Sequence, residues 1–132
     1  MVRFAAAILA FAALASPVIA QVVHTPPAGS AERRAILDTV RAPLIEHVGG
    51  QVEFVVEELR VGGGWAWLQA HPQRPGGADI PPDEFIEDNT TYAMLRQENG
   101  GWVIDNWTYG SSDAWWVFYC DKPGRVVVAD SC

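Results

Sequence analysis

Apolar residues recur at Ile36, Leu37, Val40, Leu44 and Val48, three and four positions apart. That spacing lays one apolar stripe along a helix. Ser30 stands before it as an N-cap, Glu32 falls in the first turn where the helix dipole favours an acid, and Gly49-Gly50 closes the segment. Pro43 interrupts the stripe and either kinks the helix or ends it near Arg41. An amphipathic helix of this kind needs a partner surface.

The pattern then changes to the two-residue period of strands. Val52–Val61 reads as a strand, Gly62-Gly63-Gly64 as its turn and Trp65–His71 as the return. With three glycines in the loop, Val61 faces Trp65 and Leu59 faces Trp67. Val55, Leu59, Val61, Trp65 and Trp67 then share one face, and Phe54, Val56, Ala66, Leu68 and Ala70 the other. A second hairpin turns at Asn99-Gly100, a pair suited to a type I′ turn, between Thr90–Glu98 and Gly101–Tyr109. Its register puts Leu95 opposite Ile104 on one face and Tyr92 opposite Trp107 on the other, with Arg96 and Asp105 diagonal on that second face.

Between the hairpins, Pro72–Asn89 is a long acidic connection rich in Pro and Gly, with a short helical turn expected at Pro82–Asp88. Beyond Gly110, Ser111-Ser112-Asp113 reads as the N-cap of a short helix through Trp115, Trp116 and Phe118, and Arg125–Ala129 as a last edge strand. The expected fold is α+β: one N-terminal helix on a curved four-stranded antiparallel sheet of two hairpins, plus a short C-terminal helix and a disulfide-tied tail.

The two ends of the chain carry a further signal. Arg3, the apolar run Phe4–Leu14, Pro17 and Val18-Ile19-Ala20 have the layout of a secretory signal peptide cleaved after Ala20. The run is shorter than the ~20 residues that span a bilayer. Gln21 would begin the mature chain, so no lipid anchor is expected and the destination is periplasmic or secreted. Residues 21–29 read as a flexible lead-in and residues 30–132 as a single domain. Export allows Cys120 and Cys132 to pair, closing a loop of about 13 residues worth roughly 3 kcal/mol in the chain-entropy model.

The 132 residues are enough for one domain, and 49% hydrophobic against 19% charged residues exclude a disordered or fibrous chain. A net charge of -7, from 16 acids and 9 bases, argues against nucleic acid and against an anionic membrane surface. Six Trp are unusual in so short a chain.

FVVEELRVGGGWAWLQAHPQRPGG and YAMLRQENGGWVIDNWTYGSSDAWW resemble small exported bacterial proteins of unknown function, over most of residues 31–118. The order of elements is similar to the cystatin/NTF2-like group, in which a helix packs on a curved antiparallel sheet. The chain is shorter than full NTF2-like members and has one long N-terminal helix where they have three. The resemblance brings no catalytic residues with it.

The sequence holds no GxSxG nucleophile motif. His24, His47 and His71 have no second ligand at metal-binding spacing, so no metal or cofactor is expected. The acids Asp79, Asp83, Glu84, Glu87 and Asp88 lack EF-hand spacing and read as a solvated loop, with calcium as the alternative. Asp105 and Asp113 are the acids set among aromatics and are the candidates for a catalytic base.

The aromatics Trp65, Trp67, Tyr92, Trp107, Tyr109, Trp115 and Trp116 exceed what so small a core can hold. Either the C-terminal helix roofs the sheet's second face over Trp67, Trp107 and one of Trp115 and Trp116, or these rings line a groove for a sugar, a small apolar ligand or a partner chain. The first functional expectation is an exported binding module acting on an envelope protein or glycan. One alternative is a small pocket enzyme of ketosteroid-isomerase type with a buried carboxylate base. The other is an inhibitor of an envelope hydrolase that inserts the loop Gln73–Asn89.

Overall fold

The structure is a computed structural model that describes Ala12 and residues 22–132. Apart from Ala12, the expected signal segment and its cleavage site lie outside the described residues. Of the lead-in, His24 exchanges two backbone hydrogen bonds with Val61, and Pro26 is fully buried.

Helix α1 (Ala31–Val48) begins where expected: the Ser30 Oγ accepts from the Arg33 N–H at 3.3 Å. Pro43 does not end it. A proline removes one donor from the ladder, and the buried stripe of Ile36, Val40 and Leu44 outweighs that loss. The helix stops at Gly49, whose φ of 71° turns the chain while its N–H bonds the Ile45 carbonyl. Arg74 then covers the exposed carbonyl end, donating to Val48, Gly49 and Gln51.

The sheet is an antiparallel meander in the order β1 (Glu53–Gly62), β2 (Trp65–Gln73), β3 (Thr91–Glu98) and β4 (Gly101–Tyr109). Its two hairpins join through β2 and β3. The first turn corrects the expected register. Gly63 and Gly64 both take positive φ, as the two centre residues of a tight primed turn require, so Gly62 joins the strand opposite Trp65. Leu59 therefore pairs with Leu68 and Val61 with Ala66, while Trp65 and Trp67 lie on the opposite face.

The second hairpin follows the Asn99-Gly100 turn and does pair Leu95 with Ile104. Asp105 is then an extra residue, a bulge. Beyond it Tyr92 pairs with Thr108 and Trp107 with Ala93, so the expected Tyr92–Trp107 pair does not form. Glu57 makes the same kind of bulge in β1. Both bulges are acids in outer strands, which discourages edge-to-edge pairing with another sheet.

Ile36 and Val40 pack on Leu59, Val61, Ala66, Leu68, Ala70, Ala93 and Leu95. At the helix C-terminal end a smaller core joins Leu44, Val52, Ile80 and Tyr109. The other face of the sheet is covered by the C-terminal segment: a 3₁₀ helix Trp115–Asp121, the short helix α2 (Arg125–Val128) and a last turn Ala129–Ser131. Tyr119, Val127 and Val128 seal Trp67 and Met94 there.

The expected Asp113 cap is absent, since Ala114 holds the cap position without a side-chain bond. Nor is there an edge strand at Arg125–Ala129. The Cys120–Cys132 disulfide holds its Cα atoms 5.7 Å apart, and an extended segment between them would carry the chain away from that closure. Within the long connection the expected helical turn at Pro82–Asp88 is a single β-turn, closed by the Ile86 N–H on the Asp83 carbonyl at 3.1 Å.

Candidate functional site

The structure divides the seven predicted ligand-binding aromatics between the two faces of the sheet. Trp65, Trp67, Tyr92, Trp115 and Trp116 gather under and within the C-terminal segment. Tyr92 stacks on Trp116 at 4.9 Å and on Trp67 at 6.2 Å, and Trp67 meets Trp116 at 5.2 Å. Trp67, only 3% exposed, is a core residue. Trp107 and Tyr109 lie on the helix side, edge-on to the His47 ring at 6.2 and 5.5 Å.

Three of the seven, Trp107, Tyr109 and Trp115, line an open groove of about 580 Å³. The consecutive residues Asn106–Gly110 form its floor, so it runs along the free β4 edge. His47, from the last turn of α1, and Asp83 and Ile86, from the long connection, make one wall. Ser111, Ser112, Asp113 and Trp115 make the other.

Internal hydrogen bonds fix these walls. The His47 Nε2 lies 2.9 and 2.8 Å from the two Asp83 oxygens, tying the connection to α1. The Tyr109 hydroxyl donates to the Pro81 carbonyl at 2.6 Å, and burial followed by the Asp83 charge pushes its pKa up, keeping it a donor. The Trp115 indole N–H donates to the Thr108 Oγ1 at 3.0 Å and the Ser111 hydroxyl to the Asp113 carbonyl at 2.6 Å. At the groove's end Gly110, φ 68°, donates to the Thr90 carbonyl at 2.7 Å. Beside it the Tyr92 hydroxyl donates to Asp88 at 2.6 Å. Burial and then this bond push Tyr92 up to about 12, and the bonds from Tyr92 and the Thr90 N–H outweigh burial to hold the Asp88 carboxyl below its ordinary value.

The two candidate bases have different surroundings. Asp105, exposed in its bulge, accepts from the Tyr119 hydroxyl and, at 3.3 Å, from the Arg96 Nε. It clamps the 3₁₀ helix to the sheet. Burial and then Asp105 push the Tyr119 hydroxyl well above its ordinary value, so it remains the donor. Asp113 is exposed on the groove wall. Among the described residues no group of three His, Cys, Asp or Glu side chains could hold a metal ion.

Among the groove's polar residues, Asn106 carries no expectation from the sequence, and His47 and Asp83 are read there only for metal binding. The signal for His47 is its place in the last turn of the helix, three residues beyond the buried Leu44. The chain matches no family model, no curated protein and no solved structure.

Proposed function

We propose that this chain is an exported binding module that seats a small ligand, free or at the end of an envelope glycan, in the groove along β4. The observation that carries the reading is the convergence of Trp107, Tyr109 and Trp115 with His47, Asp83, Asn106 and Asp113 on one open groove, drawn from three separate stretches of chain. Apolar walls with a few fixed polar groups are the ordinary make-up of a ligand site. The disulfide supports an oxidising compartment, and no helix among the described residues is long and apolar enough to cross a membrane. The pocket-enzyme alternative has less support, since Asp105 is held by two donors and Asp113 faces solvent.

A titration of the oxidised protein with soluble envelope glycans and small aromatic-binding compounds, followed by tryptophan fluorescence, tests the reading. It predicts a saturable change that Asn106→Ala and His47→Ala weaken. A flat response to every compound, or binding indifferent to both substitutions, contradicts it.

One observation favours inhibition of an envelope hydrolase by the loop Gln73–Asn89. Phe85 stands at that loop's turn, 93% exposed and with φ 66°, a costly conformation for a bulky side chain. In that case Phe85→Ala abolishes inhibition and leaves the groove's ligand affinity unchanged.

A further inference from the structure

We propose that the groove's ligand is a small organic cation, an ammonium carried on a compact apolar group; this rests on the groove being the binding site. The groove is acidic: Asp83 and Asp113 stand on its walls, with His47, bonded to Asp83, beside them. The hydroxyl protons of Tyr109 and Ser111 and the indole proton of Trp115 are spent on internal partners. What the walls still offer is the Asp113 carboxylate, the Asp83 carboxylate beside His47, the Asn106 amide, the Thr108 and Ser112 hydroxyls, the Trp107 indole N–H and aromatic rings. Among the described residues no Lys or Arg lines it.

Of the arginines at this end of the fold, Arg74 serves the α1 carbonyls, while Arg96 serves Glu98 and Asp105. Past Ser111 and Ser112 the groove continues into a second depression, of about 440 Å³, lined by Phe85, Ile86, Glu87 and Asp88, again without a base. A cation needs only negative charge and aromatic faces, which attract it within ~6 Å of the ring centre. Charge complementarity therefore selects the cation over a neutral ring.

The test is calorimetric titration of the oxidised full chain with choline, with 3,3-dimethylbutan-1-ol (the same shape with carbon in place of the charged nitrogen) and with N-acetylglucosamine. Choline is expected to bind saturably and at least about 10-fold more tightly than either neutral compound. Asp113→Asn, at an exposed position and with an unchanged melting temperature, is expected to weaken choline about 5-fold while leaving the neutral alcohol unaffected. Asp83→Asn is the second variant, checked the same way.

Equal affinity for choline and its neutral counterpart, or tighter binding of the sugar, overturns the cation and leaves the groove as the binding site. Choline binding indifferent to both aspartates overturns the assignment of the cation to this groove. Absence of any choline heat overturns the cation, and the glycan titration described above then judges the groove by itself.

Discussion

Gly110 shows how tightly one residue holds the site. Its φ is 68°, and a Cβ there would lie 2.0 Å from the Asp88 carbonyl oxygen and 2.7 Å from the Ile86 side chain. Backbone, unlike a flexible side chain, cannot yield that distance. Gly110→Ala is therefore expected to cost about 3 kcal/mol or more in urea unfolding and to displace the segment carrying Asp83. A loss below about 0.5 kcal/mol would show that the contact is not made.

The neighbouring Tyr92–Asp88 bond carries a pH signature. Tyr92 is pushed up to about 12, so its contribution is complete below its ordinary value of about 10 and is lost as pH rises through the folded value. Asp88 is held low, so its contribution is complete above about 4 and is lost as pH falls through its folded value. The stability gap between the native protein and Tyr92→Phe, about 1 kcal/mol at neutral pH, should shrink at both extremes. A pH-independent gap would contradict the bond. At this scale the Ser30 cap and the cysteine pair were legible because each is a local chemical rule. The Gly110 contact was not, because Asp88 reaches it only through the folded connection.

Elements were legible where a turn rule is strict and were lost where a strand breaks its alternation. Asn99-Gly100 set the pairing of Leu95 with Ile104, but an extra acid in an outer strand leaves no mark in the apolar pattern. The Asp105 bulge moved Trp107 to the helix side, and the same shift made the groove's aromatic floor. Three consecutive glycines likewise hid which two of them turn.

The C-terminal segment was legible as a short helix through Trp115, Trp116 and Phe118 followed by a tied tail. The tail was not legible as helix, because Arg125–Ala129 has strand-like residues and only the closure opposes extension. That closure bears on the aromatic cluster beneath it. Replacing Cys120 and Cys132 together by Ser should lower stability by roughly 3 kcal/mol and move tryptophan emission to longer wavelength as Trp65 and Trp116 loosen. Unchanged unfolding and emission would mean that the cap holds without its tie.

Taken whole, the molecule uses its aromatics in two ways that a count of rings could not separate. One set is a second core, sealed against the sheet by Tyr119, Val127 and Val128. The other, with His47 and Asp83, lines an edge groove. The abundance of Trp pointed to an aromatic surface, but the site joins a helix end, a connection and a strand edge that lie far apart in sequence, and no local pattern joins them.

The six indole N–H signals of the oxidised protein, followed by nuclear magnetic resonance during a choline titration, separate these roles directly. Binding in the groove should move the Trp107 and Trp115 signals in a saturable way and leave Trp65, Trp67 and Trp102 in place. Movement concentrated on Trp65 and Trp67, with Trp107 still, would place the ligand on the covered face and contradict the account.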